Sequence, residues 1–130
     1  MSDRWQAIQS FWSSFGLEAI DNTILLDEMT RQELGIDYPY ITYEAAVSSF
    51  GEPTPLTASL WYYSLSWSEI SQKADEIYDE IGSGGIKVPY EEGQIWIKRI
   101  EGAGFASRMS DPDRYVRRIV LNIIVEFLSE

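Results

Sequence analysis

The sequence predicts an α+β fold, in which an antiparallel or mixed sheet of about five strands carries two helices on one face. Two observations lead to this prediction. The C-terminal segment alternates apolar and other residues like one long strand, and two other segments repeat apolar residues at helical spacing. The chain has 130 residues, of which 45% are hydrophobic, enough for the core of one domain spanning 1–130.

The N-terminal segment 3–15 is predicted to be a helix, with Asp3 as its N-cap and Gly16 ending it. Its apolar residues Trp5, Ile8, Trp12 and Phe15 recur on one face of the helix. The large aromatic area of this face has to be buried in the domain or against a neighbouring molecule. The connection 17–37 is mostly polar and is predicted to be irregular or partly extended.

The body of the domain, 38–128, is predicted to begin with a hairpin. The segment 39–50 is rich in aromatic and β-branched residues and begins with Pro39, a position where a strand tolerates proline. A turn with two prolines, 51–55, leads to a second strand over 56–65, and the short connection predicts antiparallel pairing.

A second helix is predicted to follow this hairpin. Ser66 and Glu69 have the spacing of a capping box, and a glycine-rich run from Gly82 ends the segment. The run follows a helix instead of preceding one, so it is not a phosphate-binding loop. The apolar stripe of this helix consists of Ile70, Ala74, Ile77 and Ile81.

Three more strands complete the predicted sheet, at 86–88, 94–99 and 115–128. The last is the most informative, because one face is apolar and the other is mixed. A strand of this kind needs cover on both faces, from its own helices or from another copy of the protein. The apolar face consists of Tyr115, Ile119, Leu121, Ile123, Val125 and Phe127, and the mixed face of Val116, Arg118, Val120, Asn122, Ile124 and Glu126.

The composition excludes several function classes. The chain carries 21 acidic and 10 basic residues, so sequence-specific nucleic-acid binding is not expected. No apolar run reaches the about 18 residues that span a membrane, so no membrane partner is expected. The charge is uneven: residues 1–81 hold 14 acids and 3 bases, whereas residues 82–130 hold 7 of each. An acidic end and an arginine-containing end would allow subunits to meet head to tail.

Catalysis is not expected, because the chain has no histidine and no cysteine. Their absence removes the commonest general base and the commonest soft metal ligands, so we predict no catalytic residues, no cofactor and no metal. Glu91 and Glu92 are interpreted as a solvated hairpin tip. Asp111 and Asp113 are interpreted as a turn, with a calcium site as the minor alternative. A hydrolase that uses carboxylates alone remains a remote alternative.

The aromatic residues and the paired arginines are the candidates for subunit or partner contacts. Trp61, Tyr62, Tyr63 and Trp67 would form a platform for a sugar or another small ligand, but alternation in a strand buries about half of such a set in the core or an interface. Either arginine of the pair at 117–118 would bridge to acids of a neighbouring subunit. The predicted interface residues are Trp5, Trp12, Trp61, Trp67, Trp96, Arg117 and Arg118.

Several segments resemble small proteins of tailed-phage and prophage structural modules. They are Leu60–Ile70 (LWYYSLSWSEI) with Lys73, Glu76 and Ile77; Gly93–Arg99 (GQIWIKR); Phe105–Met109 (FASRM); and Arg117–Asn122 (RRIVLN) with Glu126 and Phe127. Together these segments extend over about residues 38–128. The length and the order of elements are similar to those of the tail-terminator, or tail-completion, family of long-tailed phages.

This resemblance implies a structural role in the virion. Members of the family form a hexameric ring that caps the tail tube and offers a docking surface to the head connector, so the implied partners are further copies of the chain, the tail-tube protein and the head-connector protein. The implied location is the virion tail, assembled in the bacterial cytoplasm. Two alternatives remain open: another head–tail completion or tail-tube component of the same module, and a small-ligand or carbohydrate-binding domain.

Overall fold

The computed structural model describes residues 3–22, 28–45, 52–100 and 104–129, and these residues form the α+β fold that the sequence predicts. The helices are α1 (Arg4–Ser13), α2 (Glu28–Glu33) and α3 (Ser68–Ile81). The strands are β1 (Glu18–Asp21), β2 (Tyr40–Tyr43), β3 (Thr54–Tyr63), β4 (Ile86–Tyr90), β5 (Gly93–Arg99), β6 (Ala106–Met109) and β7 (Val116–Ser129).

The sheet has more strands than the five predicted. Its seven described strands follow the order β1-β2-β3-β7-β5-β4, and β6 pairs with β7 beside the end of β5. Among these strands only β1 and β2 pair in parallel, so the sheet is mixed. β7 is the central strand: it pairs with β3 along one edge and with β5 and β6 along the other. The C-terminal segment is therefore one long strand, as its alternation predicted, and its central position connects the two halves of the sheet.

The core lies between one face of the sheet and the helices α1 and α3, which confirms that two helices pack on one face. The predicted apolar face of β7 supplies Ile119, Leu121, Ile123, Val125 and Phe127 to a single buried cluster. The whole predicted stripe of α3, Ile70, Ala74, Ile77 and Ile81, is buried in the same cluster. We call this side of the sheet the inner face and the opposite side the outer face.

The two predicted helix caps had different outcomes. Asp3 caps α1 as predicted: its Oδ1 accepts the backbone N–H of Gln6 at 2.8 Å, and Gln6 Oε1 accepts the N–H of Asp3 at 3.0 Å. The capping box predicted for α3 is wrong, because Trp67 occupies the cap position. The Ser66 hydroxyl instead accepts the N–H of Ser68 at 3.0 Å, which closes a local turn before the helix.

The connection over 17–37, predicted to be irregular or partly extended, is extended in part. This segment contains β1, which pairs with β2 in parallel, and the short helix α2. Ile20, Ile36 and Tyr40 then form a small second cluster, against which Tyr38 and Trp61 pack. Because Trp61 points away from the main core, the outer face is partly covered at this end of the sheet.

The strand and loop boundaries differ slightly from the predictions. β2 ends at Tyr43 and β3 begins at Thr54, while residues 46–51, which include part of the predicted hairpin, lie outside the described residues. Glu91 and Glu92 form the exposed turn between β4 and β5, as predicted. No helix in the described ranges is both long and apolar enough to cross a membrane.

Candidate functional site

The outer face of the sheet is the predicted mixed surface. Along β7 the residues that point to the outer face are half-buried, whereas the residues between them point to the core and are buried. This pattern confirms that β7 is apolar on one face and mixed on the other, and it leaves apolar area on the outer face in partial contact with solvent. The half-buried residues are Val120, Asn122, Ile124, Glu126 and Leu128.

Trp61 and Arg118 form one cation–aromatic pair on this face. They are register partners on β3 and β7, and the guanidinium carbon lies 4.7 Å from the centre of the indole ring. Arg118 donates to the Ser59 hydroxyl at 3.1 and 3.2 Å, and Trp61 donates to Thr42 Oγ1 at 2.9 Å. Tyr40 stacks on the indole at 5.9 Å. These contacts hold Arg118 flat against its own sheet.

Trp96 forms a second such arrangement at the other end of the outer face. Lys98 lies 4.2 Å and Lys87 lies 5.3 Å from its ring centre. Lys98 also pairs with Glu126 at 3.3 Å, and Trp96 donates to the Gly84 carbonyl oxygen at 2.9 Å. Trp96 is therefore a half-buried residue with partners of its own, although its predicted role in an interface is untested.

Trp67 lies on the inner side of the sheet, where it packs against the main core. Arg108 and Arg117 both lie over its ring, at 4.9 and 5.1 Å. Arg117 also donates to the carbonyl oxygens of Leu65 and Arg114, each at 2.8 Å. Trp61 and Trp67 consequently belong to different faces, so they do not share the ligand platform that the sequence offered as an alternative to burial in the core or an interface.

Trp12 is the clearest correction among the predicted interface residues. Only 1% of its surface is exposed, and it stacks within the core beside Phe11, Phe15 and Tyr43. A side chain with no free surface cannot contact a partner, so the interface prediction is wrong for Trp12. Trp5, on the same helix, is 45% exposed, so its surface is accessible as the prediction requires.

Trp5 lies at a pocket of about 280 Å³ that we call the acidic end. The pocket lies where α1 begins and the β4–β5 hairpin turns, and it contains Asp3, Glu91 and Glu92. Its other lining residues are Arg4 and Tyr90. The hydroxyl of Tyr90 is buried without a hydrogen-bond partner among the described residues, and burial, together with the charge of Glu92, raises the pKa of this phenol.

The opposite end of β7 carries a group of arginines that we call the arginine end. Arg108 and Arg114 are exposed there, beside the half-buried Arg117. Two large apolar side chains, Leu65 and Met109, are 59% and 41% exposed in the same region. Asp111 and Asp113 also lie there, but each accepts a backbone N–H of its own loop at 2.9 Å, which confirms the predicted turn.

The length of β7 separates these two ends. Phe127 lies at the acidic end, 5.8 Å from the guanidinium of Arg4, whereas Arg117 lies ten residues earlier in the strand. At about 3.3 Å per residue the two ends are roughly 30 Å apart. The two ends are therefore separated surfaces of different charge. They do not reproduce the uneven charge of the sequence, because Glu91 and Glu92 belong to the balanced half, 82–130.

Sequence reasoning missed the most exposed charges of both ends. Arg108 and Arg114 were overlooked because they flank a turn and belong to no motif, and Glu91 and Glu92 were interpreted only as a solvated tip. The signal that would have found them is the pairing of β5 with β7, which places the hairpin tip and the start of β7 at opposite ends.

No three His, Cys, Asp or Glu side chains of the described ranges are grouped as metal ligands. No family model, curated protein or solved structure matches the chain.

Proposed function

We propose that the protein is an assembly subunit of a phage or prophage tail, acting as the terminator that caps the tail tube and joins it to the head connector. It would act in the virion after assembly in the bacterial cytoplasm. The proposed mechanism is physical: copies of the chain meet head to tail, acidic end to arginine end, and close a ring.

The observation that carries this proposal is the position of the two charged ends at opposite ends of β7. Asp3, Glu91 and Glu92 at one end are complementary in charge to Arg108 and Arg114 at the other. A contact between two different surfaces of identical subunits produces a ring when the rotation closes and a filament when it does not. Charge complementarity of this kind favours one orientation of the two partners.

Exposed apolar area at both ends supports the same contact. Trp5 lies at the acidic end, and Leu65 and Met109 lie at the arginine end. Interfaces combine such apolar residues with a charged rim, and burial of large side chains supplies the favourable free energy that charge pairing alone lacks. The closed ring, its six copies and its partners come from the resemblance to the tail-terminator family.

The test is the mass and shape of the assembled protein. Light scattering over a concentration series, at low and high salt, measures the mass, and negative-stain electron microscopy shows the shape. We expect a discrete ring at low salt that dissociates as salt screens the charges. Open filaments would instead favour the tail-tube alternative. A monomer under every condition would contradict self-association through these ends.

A further inference from the structure

A cleft that borders the arginine end has the composition of a ligand site. It has a volume of about 640 Å³ and lies beside the outer face, where the segment after α2 approaches β3 and the turn before β7. Ligand sites commonly occupy about 300–1,000 Å³ and combine aromatic walls with a few polar groups. The cleft is lined by Arg31, Asp37, Tyr38, Tyr63 and Asp113.

Tyrosine rings supply the apolar surface of this cleft. Tyr63 is 55% exposed, although it lies in the middle of a ring series, 5.4 Å from Tyr38 on one side and 5.4 Å from Tyr115 on the other. Its neighbours fix its orientation, while more than half of its surface remains available. A rigid, exposed ring offers stacking area with little loss of conformational freedom on binding.

The polar groups of the cleft carry both signs of charge. Arg31 is fixed by a hydrogen bond to the Ile36 carbonyl oxygen at 2.6 Å and lies 4.7 Å from the ring of Tyr38. Asp113 accepts the N–H of Tyr115 with one oxygen at 2.9 Å, and a carboxylate has a second oxygen with which to accept a hydroxyl group. Asp37 adds a second, exposed carboxylate.

We infer that this cleft binds a neutral carbohydrate. A sugar ring presents a C–H face for stacking on Tyr63, and hydroxyls that both donate to carboxylates and accept from a guanidinium. A ligand with a single positive charge meets a like charge in Arg31, and a ligand with a negative charge meets like charges in Asp37 and Asp113. A neutral polyhydroxylated ligand uses all of these groups. None of the residues proposed for the assembly contact lines the cleft, although Asp113 lies beside Arg114 of the arginine end.

The experiment is an NMR titration of the ¹⁵N-labelled protein with cellotetraose, maltotetraose and chitotetraose, each to about 10 mM, which is high enough to detect millimolar binding. Tetramethylammonium chloride and sodium phosphate serve as charged probes. We expect saturable shifts at the cleft with at least one of the saccharides. The variant Tyr63→Ala should weaken binding about tenfold, since it removes the stacking surface, and Asp37→Asn should weaken it as well. Leu65→Ala, two residues along the chain and outside the cleft, should leave binding unchanged.

Four results would overturn the inference. The first is the absence of saturable shifts with all three saccharides. The second is tighter binding of either charged probe, and the third is equal binding of the saccharide by the wild type and Tyr63→Ala. The fourth is a shift of the cleft resonances when the protein alone is diluted, because the occupant would then be a second copy of the chain. All of these measurements are made at high salt, where the proposed assembly contact is screened, so that self-association at the arginine end does not move the cleft resonances.

Discussion

At the scale of single residues, the contacts of Trp96 determine which residue fits at position 85. Gly85 has φ +81°, and a Cβ added there would lie 2.6 Å from Trp96 Nε1 and 2.7 Å from the Ile97 carbonyl oxygen. Both the backbone conformation and the space require glycine. At the neighbouring Gly84 an added Cβ would meet no described atom within 4 Å, and the backbone has no positive φ.

The first prediction compares these two glycines. We expect Gly85→Ala to lower the free energy of unfolding by about 2 kcal/mol or more, because it combines a strained backbone with an overlap against Trp96. Gly84→Ala should change it by less than about 0.5 kcal/mol. Urea denaturation of both variants measures the difference, and equal stabilities would contradict the packing of the Trp96 ring against Gly85.

The second prediction concerns two buried phenols with different partners. The Tyr90 hydroxyl has no hydrogen-bond partner in the described part of the chain, whereas the Tyr43 hydroxyl donates to Gln9 Oε1. Tyr90→Phe removes an unpaired buried polar group and should leave stability unchanged or raise it by about 1 kcal/mol. Tyr43→Phe breaks a hydrogen bond and should lower stability by about 1 kcal/mol. Thermal unfolding of the two variants checks this, and a larger loss in Tyr90→Phe would refute it.

At the scale of elements, α3 and β3 face each other with acids close to a buried phenol. Burial, and then the charges of Glu69 and Glu76, raise the pKa of Tyr62 above its usual value of 10.0. The folded protein therefore keeps this proton at a pH where the unfolded chain loses it. The stability contribution is fully present below about pH 10 and is lost as the pH rises toward the pKa of the folded state.

The third prediction follows from this loss of stability at high pH. We expect the free energy of unfolding to fall above about pH 10, with a slope of up to about 1.4 kcal/mol per pH unit for Tyr62. Urea denaturation from about pH 8 to pH 11 should show a shallower fall in Tyr62→Phe than in the wild type. Tyr63→Phe is the matched control, since it removes a phenol that is more than half exposed. If the free energy of unfolding of Tyr62→Phe falls with pH as steeply as that of the wild type, Tyr62 is not the cause of the fall.

The elements that the sequence predicted well are those with long, regular patterns. The alternation of 115–128 and the four-residue stripe of α3 each predicted one apolar face, and the structure buries both of these faces in the core. β1 and α2 were missed because each is short and depends on a neighbour: β1 pairs with β2, and Ile36 after α2 is buried against Ile20 and Tyr40. The capping box failed because Ser66 hydrogen-bonds inside the preceding turn.

At the scale of the whole molecule, the candidate sites required information that composition does not contain. The excess of acids in the first 81 residues indicated two unlike ends, but two acids of the acidic end, Glu91 and Glu92, come from the other half of the chain. The register of β5 with β7 places them there. The cleft brings together Arg31, Tyr63 and Asp113, which are far apart in the sequence. Trp12 and Trp5 are alike in sequence terms, and only the packing of α1 separates the core residue from the exposed one.

The central claim is that the acidic end of one copy contacts the arginine end of another. It is tested most directly by two variants with reversed charges, one carrying Glu91→Lys and Glu92→Lys, the other Arg108→Glu and Arg114→Glu. Neither should self-associate, because each variant has two ends of like charge. A control with the same change on the exposed side of α3 carries Asp79→Lys and Glu80→Lys.

Light scattering should give a smaller mass than the wild type for each reversed variant alone, and a recovered mass for their equimolar mixture, in which the ends are again complementary. The α3 control should associate like the wild type. Circular dichroism confirms that all variants are folded. Wild-type mass in the reversed variants, or a mixture that stays dissociated while the wild type assembles, would contradict the head-to-tail contact.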